Sequence, residues 1–350
     1  MDGTWDTPSA QTVSPTNEDE NHDRWIQIAG YFEGVGTNTF KYLGGAFGLG
    51  ISNQILKAYA FISENYRNTH DEIWIVGHSR GAYAARSLAG MIYNVGLLPC
   101  KLIPQRIRAA YRLYSQRKES SHPHDSAAVK FRKDNNCAEP FIRFLGCFDT
   151  VGTLGVPRLP WYLGGSIFWT LFHGLHSFHD TKISPMVVSA FHAISIHDQR
   201  AWFKPTLMQY SARKRDYQEL EQVWFPGMHG DIGGESQARL LPNHTLAWMM
   251  AKAQERGLVF RNSIDVLCGG GAFYYNDSYD SSIIYRLLPR KDRIIDPDVF
   301  GQFGRRAVYK EGAFETFMTP DQLSLYRSKT LEVFFEYLEK RTTVQNSKVP

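Results

Sequence analysis

The stretch "IWIVGHSRGAYAARSLAG", Ile73 to Gly90, restricts the fold more than any other part of the chain. Ile73 to Val76 are β-branched or aromatic and apolar without alternation, as in a strand buried on both faces. From Ala82 the residues turn small and helical. A strand that passes at once into a helix needs a tight bend, and Gly77 and Gly81 remove the side chains that would collide there. Ser79 is left at the apex. Such a strand–Gly-x-Ser-x-Gly–helix unit is the nucleophile elbow, which exposes a serine hydroxyl and aims the next backbone N–H, that of Arg80, at the same point. The plain alternative is a glycine-rich β–α turn with a capping serine.

The pattern recurs. "PFIRFLGCFDTVGTLGVP" is an apolar strand ending in Asp149 and a glycine loop, and "LEQVWFPGMHGDIGGE" is another, ending near His229. Between the strands lie helical stretches, including 51–66 with Ile51, Ile55, Tyr59 and Ile62 on one face, and the basic stretch 104–118. We also expect a helix over 184–203. Strands alternating with helices predict an α/β fold with a mostly parallel central sheet and helices on both faces. Sites in such sheets lie at the carboxyl ends of strands, which brings Ser79, Asp149 and His229 to one edge.

Serine needs a base to take its proton. Of the twelve histidines, His229 is preferred, because it follows a strand in a glycine loop from which a side chain can reach across. His78 adjoins Ser79 and points away from it. His192 and His197, placed on the expected helix, read as structural. His173, His176 and His179 are spaced as a polar helical stripe without a carboxylate, so no metal site is expected, nor any cofactor. The imidazole needs a carboxylate to fix its tautomer. Asp149 is the candidate, since an acid ending so apolar a strand requires a partner. Asp231, two residues from His229, is the rival and could instead brace its loop. The chain order serine, aspartate, histidine is that of α/β-hydrolases. A second oxyanion donor should come from a neighbouring loop. "DGTW" offers Gly3 and Thr4, with Asp2 a secondary candidate.

Composition sets the remaining bounds. The chain has 350 residues, 43% hydrophobic and 21% charged, with a net charge of +4, so it is globular and too weakly basic to suggest nucleic acid. Its four cysteines show no C-x-x-C spacing and suit a reducing compartment. The N-terminus is polar and acidic, unlike a signal peptide, and no run is long enough to span a membrane, so a cytoplasmic location is expected. The aromatic stretch containing Trp161 and Trp169 could lie over the site as a lid and touch a membrane surface, or be an ordinary core helix.

The motifs "DGTW", "YFEGVGT", "GGAFGLG", "GHSRGAYAARSLAG", "CFDTVGTLGVP", "FHAISIHDQRAWF" and "VWFPGMHGDIGG", in that order, resemble those of a large uncharacterised α/β-hydrolase family that includes the type VI secretion phospholipase effectors and many fungal homologues. The resemblance implies a Ser-Asp-His triad on Ser79, Asp149 and His229, and an esterase or phospholipase activity through an acyl-enzyme. Two positions differ from the family's usual pattern. His78 stands where a phenylalanine is common, and Gln199 replaces one acid of an acidic pair. The family's strand before "DGTW" has no counterpart ahead of Asp2. The expected organisation is a catalytic core over 1–258 with a helical cap insertion at about 155–205. An extension over 259–350 follows, ending in an amphipathic helix. The substrate is expected to be a small-molecule or lipid ester. The alternatives are an inactive hydrolase fold serving as a binding module, and a peripheral membrane protein.

Overall fold

The computed structural model describes residues 26–34, 45–116, 123–151, 182–200, 203–234, 240–260, 290–295 and 305–308. The "DGTW" loop with Asp2, Gly3 and Thr4 lies outside these residues. So do the three spaced histidines, Cys268, Trp161 and Trp169, and the expected C-terminal amphipathic helix.

Five strands form one parallel sheet in the order β1 (Ile73–His78), β2 (Ile142–Phe148), β3 (Val187–Ser195), β4 (Glu219–Phe225) and β5 (Arg305–Val308). The chain is an α/β-hydrolase-like protein. Register levels the strand ends: His78 pairs with Phe148, Phe148 with Ala193, and Ser195 with Phe225. Whatever follows these residues emerges at one edge.

One face of the sheet is covered by α1 (Gly45–Asn65), α2 (Ser79–Val95) and α3 (Ile103–Ser115). Ile51, Ile55 and Tyr59 of α1 are at most 2% exposed, as their spacing requires, and pack with Ile75, Leu145 and Ala190 of the sheet. The other face carries α6 (Leu240–Gln254), whose Trp248 and Met249 meet Phe144, Phe191, Val223 and Phe225. Two short α-helices, α4 (Ser126–Asp134) and α5 (His229–Gly233), and a 3-10 turn at Cys100–Leu102 complete the set among the described residues. Arg106, Arg108 and Arg112 of α3 are exposed, which is a solvated basic face. Cys100, Cys137 and Cys147 are free thiols. Among the described residues no helix is long and apolar enough to cross a membrane, and no cluster suits a metal ion.

Two expectations need correction. Residues 184–203 are not a helix: 187–195 form β3, a central strand, and its core members Val187, Ala190, Phe191, Ala193 and Ile194 are fully buried. The repeating apolar residues fit a helix by spacing, but a strand covered on both faces needs no alternation, and partners on either side decide the matter. These strand residues fall within the range of about 155–205 expected for the cap insertion. Within the expected extension after 258, residues 305–308 pair with β4 and enter the sheet. Finally, His229 begins a short helix rather than sitting in a loose glycine loop.

Candidate active site

The elbow is built as tightly as its glycines suggest. A Cβ at Gly77 would stand 2.5 Å from the carbonyl oxygen of Gly81 and 2.7 Å from the nitrogen of Ala82, so only glycine lets the strand end approach the helix start. Ser79, the first residue of α2, has φ 56, a left-handed backbone that non-glycine residues rarely adopt. Arg80 follows within the first helical turn, where backbone N–H groups lack helical partners and the helix dipole favours negative charge. Asp149 directly follows β2 and is also left-handed, with φ 39. Its N–H donates to Ala193 O at 2.7 Å, which pins the turn to β3.

The three expected side chains meet. Ser79 Oγ lies 2.7 Å from His229 Nε2, and His229 Nδ1 lies 2.6 Å from Asp149 Oδ2. Ser79 and His229 are 4% exposed and Asp149 is wholly buried. Burial works to raise the Asp149 carboxyl, but the Arg293 guanidinium and the contact with His229 outweigh it and hold the group well below the usual carboxylate range. A carboxylate can only accept, so Nδ1 carries the ring proton and donates it to Asp149. Nε2 is then left with its lone pair toward the serine hydroxyl, which donates to it. Burial lowers His229 to about 4 against the pull of Asp149, so the ring is neutral near pH 7. Chemically this is a hydroxyl hydrogen-bonded to a neutral base of fixed tautomer, beside a helix N-terminus.

The surroundings hold the imidazole from several sides. Phe203 packs on it in a T-shaped arrangement with ring centroids 5.0 Å apart, and Arg200 lies over the Phe203 ring, its Cζ 3.5 Å from the centroid. Asp198 pairs with Arg200 at 2.6 Å and accepts from the His229 N–H at 3.3 Å. The His78 ring lies 4.9 Å from that of His229, near Gly233, where a Cβ would strike it.

Asp231 does not face the imidazole side chain in the way Asp149 does. Its Oδ2 accepts from Met228 N–H at 2.8 Å, bracing the start of α5. His192 is on β3 rather than a helix. Its Nε2 accepts from Thr150 N–H at 3.0 Å, next to Asp149, and burial lowers it to about 3. His197 Nδ1 accepts from Gly227 N–H at 3.0 Å and steadies the turn before His229. Both histidines thus bond to backbone N–H groups, in other elements than the expected helix.

Sequence reasoning missed Arg293. It donates from Nη1 to Asp149 Oδ1 at 2.6 Å and from Nη2 to Oδ2 at 2.9 Å. Its only sequence signal is an arginine in an irregular segment far from any motif.

A parallel sheet with a serine, histidine and aspartate hydrogen-bonded in series at its carboxyl edge defines the α/β-hydrolase class. Within that class the chain belongs to the family described as T6SS, phospholipase effector Tle1-like, catalytic domain, which it matches over residues 1–252. It is 30% identical over 207 residues to the uncharacterised protein YEL023C of Saccharomyces cerevisiae, covering 53% of this chain and 28% of the yeast protein. The chain thus spans under a third of that relative. Among solved structures it is similar to the Tle1 effector bound to the VgrG spike of the type VI secretion system, with 19% identity, 60% of this chain and 36% of that one covered, and a TM-score of 0.32. An uncharacterised protein from Pseudomonas aeruginosa matches at 15% identity over 83% of this chain and 34% of that one, with a TM-score of 0.28.

Proposed function

We propose that the protein is a serine hydrolase that cleaves a carboxylic ester of a lipid through an acyl-enzyme. The observation that carries the proposal is the unbroken run of hydrogen bonds from Ser79 through His229 to Asp149. The lipid substrate class is supported by the family, which is described as phospholipase effector Tle1-like.

In the proposed reaction His229 Nε2 takes the Ser79 proton as Oγ attacks the ester carbonyl. The developing oxyanion is met by the Arg80 N–H at the start of α2 and, in the expected arrangement, by a donor at Gly3 or Thr4. His229 then gives its proton to the leaving alcohol, the C–O bond breaks, and the acyl group stays on Ser79. Water, deprotonated by the same imidazole, attacks the acyl-enzyme. The fatty acid leaves and the proton returns to Ser79. Asp149 keeps the ring in one tautomer throughout and stabilises its transient positive charge without becoming protonated.

The test is a fluorophosphonate probe. The wild-type chain should be labelled once, on Ser79, and turn over a panel of phosphatidylcholine and p-nitrophenyl esters. Ser79→Ala should keep its fold, take up no probe and lose about 10⁴- to 10⁶-fold in kcat. A folded wild-type chain that stays unlabelled and inert on every ester would favour the scaffold alternative instead.

A further inference from the structure

Arg293 lies outside the residues that match the family, 1–252, yet it makes more contacts with Asp149 than His229 does. Its fork grips both carboxylate oxygens, at 2.6 and 2.9 Å, and its Nη atoms also donate to the carbonyls of Ser195 at 2.7 Å and Phe203 at 2.5 Å. It is 6% exposed. Asp149 therefore receives four donors: two from Arg293, the Ser195 N–H at 3.0 Å and His229 Nδ1. Only Arg293 brings a positive charge, because His229 is neutral before reaction. A buried carboxylate without such a counter-charge would protonate, or would draw a proton onto His229.

The segment bearing Arg293 is fastened on both sides. Arg290 forms an antiparallel bridge with Arg200, and Lys291 N–H donates to Gln199 O at 2.8 Å. The Gln199 side chain accepts from Arg290 Nε at 2.6 Å and donates to Asp292 Oδ1. This explains the neutral residue at position 199. An amide can serve a cation and an anion at once, whereas a carboxylate there would meet Asp292 with like charge. Beyond Arg293, Ile295 is buried against Ile194, Ile196 and Trp224, while Ile294 points out.

We infer that Arg293, carried into the site by the strap of residues 290–295, is a positioning residue that holds the Asp149 carboxylate charged and aligned on His229 Nδ1. This rests on the serine-hydrolase proposal above. The charged and titratable groups around the pair are Arg293 from the strap, His192 from β3, Arg86 from α2, Asp198 and Arg200 after β3, and His78 at the end of β1. Among the described residues, removing Arg293 leaves no cation in a bidentate contact with Asp149. Either consequence, a protonated Asp149 or an imidazolium held by it, moves the acid limb of activity upward in pH.

Arg293→Met and Arg293→Lys, in the chain of residues 1–350, are assayed on p-nitrophenyl butyrate across about pH 4 to 9, with thermal melts as the fold control. Arg293→Met should lose about 10- to 100-fold in kcat with KM little changed, as when a residue that orients a reactive group is lost. Its acid limb in kcat/KM should rise by about one unit or more. Arg293→Lys keeps the charge without the fork, so the limb should return toward wild type while kcat recovers only in part. A fall in kcat with the limb unmoved would assign Arg293 a merely structural role and overturn the inference, and so would unchanged kinetics. Should Arg293→Met not fold, the exposed Arg290→Ala, which loosens the strap, must shift the limb in the same direction by a smaller amount. An unmoved limb there overturns the inference too. The low-field NMR resonance of the His229 Nδ1 proton needs no turnover. Its titration midpoint should rise in the Arg293 variant. An unlabelled Ser79 in wild type would sink the hydrolase proposal while this titration still decides the role of Arg293.

Discussion

Gly77→Ala isolates the elbow's geometry from its chemistry, because it leaves Ser79, His229 and Asp149 unchanged. The added methyl would meet three backbone atoms of the first turn of α2, at 2.5, 2.6 and 2.7 Å. Ordinary contact needs about 3.4 Å or more, so the strand end and helix start must part by roughly 0.5–1 Å. No side chain can swing aside to absorb this. Overpacking of a rigid site costs about 1–3 kcal/mol, and a purely backbone clash belongs at the upper end, about 3 kcal/mol. For a protein of this size that lowers Tm by roughly 4 °C. The same displacement moves Ser79 Oγ relative to His229, and a misplacement near 1 Å costs about 10²-fold in rate. Gly90→Ala in the same helix is the control. Its Cβ would lie 3.2 Å from the Tyr114 hydroxyl, the far end of a side chain that can shift, and alanine favours helix by about 0.5–1 kcal/mol. Scanning fluorimetry and the rate of fluorophosphonate labelling read both effects. A Gly77→Ala protein with wild-type Tm and labelling rate would refute the reasoning, as would a Gly90→Ala protein that loses as much.

Acid should act on both activity and stability through buried histidines. With His229 lowered to about 4, the acid limb of kcat/KM should lie well below the usual imidazole range near 6.5, and a limb at 6.5 or above would contradict the buried neutral base. His192 and His229 have folded values below their unfolded ones, so between about pH 4 and 6.5 the unfolded chain binds more protons. Their contribution to stability is complete above the unfolded value and is lost as pH falls through the folded values. Urea melts at about pH 4.5 and 7 should differ by a few kcal/mol, the lower pH being less stable. Tyr59→Phe should cost about 1–3 kcal/mol in the same assay. The buried hydroxyl donates to Gly96 O at 2.7 Å and accepts from Leu98 N–H at 3.0 Å, and both groups would be left unpaired; a loss under about 0.5 kcal/mol would mean they find other partners.

What the sequence makes legible follows from how local each constraint is. Ser79 is marked by two glycines and the change from apolar strand to small-residue helix, all within a few positions. Asp149 and the segment before His229 are marked by apolar strands that stop at glycine loops. The parallel sheet follows from that alternation. Val187 to Ser195 is misleading because a strand buried on both faces lacks period-2 alternation, and only its pairing with β2 and β4 tells it from a helix. Asp231 and Asp149 compete in sequence because proximity along the chain favours one and strand-end position the other. The hydrogen bond to Met228 N–H shows where Asp231 is engaged. Arg293 could not be singled out: its contact with Asp149 spans 144 positions and depends on a strap whose bridge to Arg200 has no periodic signature.

β5 has a practical consequence for anyone trimming this chain. The four-residue strand covers Glu221, Gln222, Val223 and Trp224 of β4. A recombinant fragment stopped at residue 252, where the family match ends, would bare that row of backbone N–H and C=O groups to neighbouring molecules, and open parallel edges of this kind seed intermolecular pairing. Such a fragment should come out of cells as inclusion bodies or soluble aggregates, while the chain carried through residue 308 should elute as a discrete species.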